Sequence, residues 1–166
     1  MNKEIIDLAE KIFTFLKVED YSKLKNILNI IEKDYPNYYK FFEKFKDRNL
    51  IEKISDEIIK NEEYLTELDR EIGDGDHGVN LARGFTEIKN QLVNFKDLPV
   101  SDVFTKMGMI LLTKVGGASG AIYGTAFMSA GTYLKGKTEF DNQILLGTLN
   151  SMIEGIQRRG KAVLGE

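Results

Sequence analysis

Apolar residues along this chain return every three or four positions with Lys and Glu between them, the period of helices that bury one face. Ile5, Leu8, Ile12 and Phe15 make one stripe, and after a break at Val18–Ser22 a second runs through Leu24, Ile27, Leu28 and Ile31. From Tyr38 to Leu68 the pattern continues through Phe41, Phe45, Ile51, Ile54, Ile58 and Leu65, with a break predicted near Asp47–Asn49. A further helix is predicted after Asp76–His77, carrying Leu81, Phe85, Ile88 and Leu92. Pro99 precedes Ser101, which reads as the N-cap of a helix through Val103, Met107, Ile110 and Leu111. Small residues from Ala121 to Ala130 keep the helical period, and the last helix is predicted from about Asp141 to Arg158. No stretch alternates with a period of two, so the predicted fold class is all-α.

Composition narrows the function classes. The 166 residues carry a net charge of -3, which offers no basic field for nucleic acid. Without cysteine there is no disulfide framework, thiolate nucleophile or zinc-thiolate site, so a metal would need oxygen ligands or the single His77. No apolar run is long enough for a membrane span and the first residues lack a signal-like core, so a cytoplasmic protein is expected. All 15 glycines fall between Gly73 and Gly165. That shift suggests either a helical extension over residues 1–40 before a domain over 41–166, or solvated helices of one fold.

The glycines gather in two clusters. Gly73-Asp-Gly-Asp-His-Gly78 matches a dinucleotide fingerprint by spelling, but a helical segment precedes it and two aspartates would repel a pyrophosphate. Gly131-Thr-Tyr-Leu-Lys-Gly-Lys-Thr138 spells a P-loop, again after a helical pattern instead of a strand, and reads as a solvated turn. Asp69, Asp74 and Asp76 lie within eight residues, and the glycines between them let the carboxylates converge. Such an oxygen-only set suits Mg²⁺, which completes its shell with water and phosphate oxygens. An Asp/Gly turn in which Asp76 caps the following helix is the alternative. Gly116-Gly-Ala-Ser-Gly120 opens into a helix whose N-terminal amides would attract phosphate, and a glycine C-cap followed by close helix packing through Gly124, Ala126, Ala130 and Gly131 explains the same residues. Ser119 has no second histidine or base-like partner nearby, which argues against a hydrolase triad.

With their flanks, these clusters resemble the nucleotide-binding L subunit of dihydroxyacetone kinases. The resemblance is carried by Glu63-Tyr-Leu-Thr-Glu-Leu-Asp-Arg-Glu-Ile-Gly-Asp-Gly-Asp-His-Gly-Val-Asn80, then Ala82-Arg-Gly-Phe85, Val115-Gly-Gly-Ala-Ser-Gly-Ala-Ile-Tyr-Gly-Thr125 and Arg159-Gly-Lys-Ala162. It implies an antiparallel barrel of amphipathic helices with the nucleotide at one end. Asp69, Asp74 and Asp76 would hold two Mg²⁺ ions on the phosphates of ADP or ATP. His77, Gly78, Val79, Asn80, Ala118 and Ser119 would line the nucleotide, with Thr125 near the phosphates and Gly160 near the base. The implied reaction is phosphoryl transfer to dihydroxyacetone held by a K subunit, which relies on positioning and charge neutralisation instead of a protein nucleophile. The implied phosphate donor is a phosphocarrier M subunit acting on bound ADP, or free ATP, and a homodimer stays open. The resemblance begins near residue 40 and breaks off at Val163-Leu-Gly-Glu166, where the family continues into helices that close the barrel, so a C-terminally incomplete domain is expected. Two other readings stay open: a non-catalytic nucleotide-binding or interaction module, and an L-type domain of a kinase with another acceptor.

Overall fold

The structure, a computed structural model, describes residues 48–138 and 141–161. The predicted stripes from Ile5 to Ile31, with Phe41 and Phe45, lie outside the described residues. Helices α1 (Arg48–Lys60), α2 (Glu62–Arg70), α3 (His77–Gln91), α4 (Val100–Lys114), α5 (Gly117–Leu134) and α6 (Asn142–Gly160) follow one another, with a 3₁₀ turn at Leu92–Phe95. No strand occurs among the described residues, as the apolar period predicts. No helix among them is long and apolar enough to cross a membrane.

Two boundaries differ from the sequence pattern. The 48–70 stretch is divided at Asn61, whose side-chain amide donates to the Glu57 carbonyl at 2.7 Å while its backbone N–H is shared between Glu57 and Ile58, both at 3.2 Å. That local competition leaves the apolar stripe unbroken, so periodicity does not reveal it. Ser101 is not the N-cap. Pro99 holds that position with extended backbone, and its carbonyl accepts from Asp102 and Val103. Proline has no N–H to leave unsatisfied and a φ already suited to the start of a helix. Ser101 lies inside the first turn, buried, and its carbonyl accepts from Thr105 Oγ1. The P-loop spelling falls on the end of α5 and the turn after it, where Gly136 has φ +77° and Lys137 Nζ sits 4.4 Å above the Tyr133 ring.

α1 packs against α3 more than against α2, whereas α4, α5 and α6 follow one another as antiparallel neighbours. A Cβ on Gly84 of α3 would strike Val115 just past the end of α4, one on Gly131 of α5 would strike Ser101 and Thr105 at the start of α4, and one on Gly147 of α6 would strike Tyr133 of α5. The α4–α5 interface is the most extensive. There Gly108 and Gly124 face one another so closely that a Cβ on either would lie 2.8–2.9 Å from the other's carbonyl oxygen. The core gathers Ile51 of α1, Leu81, Phe85 and Ile88 of α3, Val103, Phe104, Met107 and Leu111 of α4, and Ala130 and Leu134 of α5. Small residues on α5 therefore serve close packing, and large side chains from α3 and α4 fill the interior.

Gly108→Ala should destabilise the fold by about 1–3 kcal/mol, since the added methyl meets backbone on α5. Ile88→Ala, which empties a fully buried site, should cost about 2–5 kcal/mol. Urea unfolding followed by circular dichroism measures both.

Candidate functional site

The site end of the bundle begins where α2 stops. The Asp69 carbonyl accepts from Ile72 and Gly73, turning the chain out of the helix. A Cβ on Gly73 would fall 2.4 Å from Asp69 Oδ1, so a side chain there would push the carboxylate from its place. Gly75 has φ +73°, a left-handed conformation that glycine adopts without strain. The loop so bent lays successive amides on one oxygen: Asp69 Oδ2 accepts from Gly75 N at 2.9 Å, Asp76 N at 3.1 Å and His77 N at 3.4 Å. Asp76 stands at the N-cap of α3 but makes no side-chain cap bond, which corrects the capping alternative. Asp69, seven residues earlier, instead gathers the amides of Gly75, Asp76 and His77 that lead into the helix.

Because Asp69 holds the loop, the other two carboxylates are left over. Ligand atoms of Asp69, Asp74 and Asp76 all lie within 4.8 Å of one another, with Asp69 half-buried and the others exposed. Neither Asp74 nor Asp76 has a side-chain partner among the described residues. Like charges this close repel by roughly 1 kcal/mol per pair even in water, and a divalent cation reverses that sign. Three carboxylates on a turn, with no nitrogen or sulfur donor in the set, match the hard-cation chemistry read from the sequence.

α3 starts at once after the loop and leans closely on α2. A Cβ on Gly78 would lie 2.0 Å from the Glu62 carbonyl and 2.4 Å from Thr66 Oγ1, so glycine is required for this approach. Thr66 Oγ1 is buried there without a hydrogen-bond partner. Val79 is exposed and Asn80 buried. His77 Nδ1 and Ser119 Oγ form a 3.0 Å hydrogen bond, with the donor set by the imidazole tautomer, and this bond joins the acidic loop to the second glycine cluster. In that cluster Gly116 is extended and Gly117, the first residue of α5, has φ +62°. Gly120 lies against the Val115 carbonyl, where a Cβ would be 2.2 Å away. The first amides of α5, from Gly117 to Ser119, have no backbone acceptor among the described residues, and the open N-terminus of an 18-residue helix favours an anion. Close helix packing through Gly124, Ala126, Ala130 and Gly131 is present below this loop, but α4 ends on an extended Val115 and not on a glycine C-cap.

The structure thus gathers Asp69, Asp74, Asp76, His77, Gly78, Val79, Asn80, Ala118 and Ser119 at one end of the bundle. Thr125 and Gly160 lie on the α5–α6 side. Thr125, two turns into α5, lines a groove of about 410 Å³ with Ser129, Tyr133, Glu154, Arg158 and Arg159. Gly160 is the exposed last residue of α6 and has nothing within 4 Å of its would-be Cβ. Two residues at the site carried no role in the sequence reading. Tyr123 lies beside His77, ring centroids 6.4 Å apart, and burial raises its hydroxyl pKa above the ordinary 10.0. Arg83 bonds the Lys114 carbonyl and Asn80 Oδ1. Both stand within the motif segments, but their contacts reach other helices and spacing does not show them.

Fold and site together define a helical bundle that sets a carboxylate turn against an amide-rich helix start. Its family follows from comparison with known proteins: the DAK2 domain profile matches residues 71–166, more than half of the chain, and the chain belongs to that family. Among curated relatives it is 47% identical over 111 residues to the ADP-binding subunit DhaL of PEP-dependent dihydroxyacetone kinase 2 from Listeria innocua, covering 66% of this chain and 51% of that protein. The corresponding Escherichia coli subunit is 36% identical over 118 residues, covering 71% of this chain and 56% of that protein. Rat triokinase/FMN cyclase is 34% identical over 121 residues, covering 70% of this chain and 20% of that protein. The chain spans about half the length of the DhaL relatives it matches.

Tyr123 generates a pH prediction. Burial favours the neutral phenol in the folded state, so the associated stability is fully present below pH 10.0 and is lost as pH rises through the folded pKa. Ultraviolet titration of tyrosinate should show one late-titrating group that disappears in Tyr123→Phe. The variant should also lose less unfolding free energy than the parent above pH 10.0.

Proposed function

We propose that this chain is the nucleotide-binding part of a dihydroxyacetone-kinase-type phosphotransferase, holding Mg-ADP or Mg-ATP at the end of the bundle where α3 and α5 begin. The observation that carries the reading is the convergence of Asp69, Asp74 and Asp76 beside the Gly116–Ser119 loop, with His77 and Ser119 in hydrogen-bond contact between them. The donor set fits Mg²⁺: Asp74 and Asp76 have no side-chain partner among the described residues, and Asp69 keeps Oδ1 available while Oδ2 holds the loop. When bound, two such ions would neutralise phosphate charge as the transferred group moves.

The chain's own residues do the positioning. The amides of Gly117, Ala118 and Ser119 cradle phosphate oxygens, and the His77–Ser119 bond sets the spacing between cradle and carboxylates. Gly78, Val79 and Asn80 line the nucleotide along the first turn of α3, while Thr125 and Gly160 border it from α5 and α6. The acceptor, dihydroxyacetone, is held by a separate K subunit, and a phosphocarrier M subunit or free ATP supplies the phosphoryl group. Printed names of the relatives, dihydroxyacetone kinase subunits that bind ADP, support this assignment. We place the unit over residues 41–166 after an extension over 1–40, and locate it in the cytoplasm.

Calorimetry should show ADP or ATP binding that needs Mg²⁺. Asp74→Ala combined with Asp76→Ala should weaken it at least tenfold, a loss of about 1.4 kcal/mol or more. Metal-independent binding that the double substitution leaves untouched would contradict the reading. With K and phosphocarrier subunits supplied, binding without transfer to dihydroxyacetone would reduce the role to a non-catalytic module.

A further inference from the structure

Arg83 occupies the second turn of α3, facing the junction of α4 and α5. Its Nε donates to the Lys114 carbonyl at 2.7 Å and its Nη2 donates to Asn80 Oδ1. No carboxylate among the described residues lies within ion-pair distance of it. An arginine that spends its fork on a backbone carbonyl and a buried amide, with no acidic partner, acts by geometry and not by charge pairing.

Each end of that fork meets a part of the site. Lys114 is the last residue of α4, where helix carbonyls lack intrahelical partners, and the Nε bond satisfies one of them. Asn80 is 7% exposed, and with its Oδ1 turned to Arg83 its Nδ2 donors are left for another group. Gly116, first residue of the amide loop, rests on the pair: a Cβ there would lie 2.9 Å from Asn80 Oδ1 and 3.2 Å from Arg83 Nη2. The α3 segment that follows the acidic turn and the loop that follows α4 therefore meet through one side chain.

We propose that Arg83 is a positioning residue of the nucleotide site. By gripping the Lys114 carbonyl and Asn80 together it fixes the separation of the acidic turn from the Gly116–Ser119 loop, and it leaves the Asn80 Nδ2 hydrogens as donors to the nucleotide. This inference rests on the nucleotide-binding reading above and adds to it a residue that touches neither metal nor nucleotide. Lysine cannot replace it, since a single ammonium cannot span the two acceptors with the fixed angle of a guanidinium.

Calorimetry with Mg-ADP on the parent, Arg83→Lys, Asn80→Ala and the double variant tests it. Arg83→Lys keeps the charge and loses the fork, and it should weaken Mg-ADP about tenfold. The double variant should bind no more weakly than Asn80→Ala alone, because the arginine acts through the asparagine. In nuclear magnetic resonance spectra without nucleotide, Arg83→Lys should move the Gly116, Gly117 and Asn80 side-chain signals and leave those of Ile51 and Ile88 in place. Unchanged affinity in Arg83→Lys, or losses that multiply in the double variant, overturns the proposal while nucleotide binding by the parent stands. Displaced core signals mark Arg83 as a fold-stabilising residue and overturn it equally. A parent chain that binds no Mg-ADP overturns the functional reading and this inference together.

Discussion

One carboxylate oxygen, Asp69 Oδ2, organises the site end of the molecule. It accepts amides from Gly75, Asp76 and His77, so the chain between α2 and α3 wraps around a single negative atom. Charged acceptors make hydrogen bonds about twice as strong as neutral ones, and a bent loop needs that strength because it has no ladder of its own. The wrapping also decides where the remaining charge goes. Asp74 and Asp76 are carried to within 4.8 Å of Asp69 without being consumed by the backbone. Electrostatic repulsion is thereby stored in an exposed turn and cancelled only by something positive.

The other half of the site is placed by close packing. Gly108 against Gly124 brings α4 and α5 together, and Gly120 against the Val115 carbonyl folds the connection so tightly that the first amides of α5 open at the bundle's end. Gly78 does the corresponding work between α2 and α3. The negative turn and the amide-rich loop have opposite electrostatic character, and the His77–Ser119 bond spans them. Backbone proximity, allowed by missing side chains, therefore positions both halves with little contribution from long flexible residues.

The sequence made the helices legible because a single period runs through the chain and each stripe faces the same interior; Leu81, Phe85 and Ile88 are buried as the spacing predicts. Boundaries set by local hydrogen bonds were less visible. Asn61 divides α1 from α2 without interrupting the stripe, and Pro99 starts α4 where Ser101 looked like the cap. Convergence of the three aspartates was readable from glycine spacing, but which one binds the amides was not, since that depends on how the loop folds back. Arg83 escaped notice because its contact with Lys114 spans 31 positions and two helices. Thr125 and Gly160 came from family resemblance alone, and they lie on the α5–α6 side of the bundle.

The uneven contact between the helices has a thermodynamic consequence. Contacts are extensive between α4 and α5 and between α5 and α6, and thinner between α3 and α4, where the site lies. Local opening spreads most readily across a thin interface. A molecule that touches both the acidic turn and the amide loop bridges the α3–α4 interface directly. Its binding energy then enters the cohesion of the bundle, in proportion to the logarithm of its concentration over its dissociation constant. Occupancy and mechanical unity of the bundle would rise and fall as one quantity.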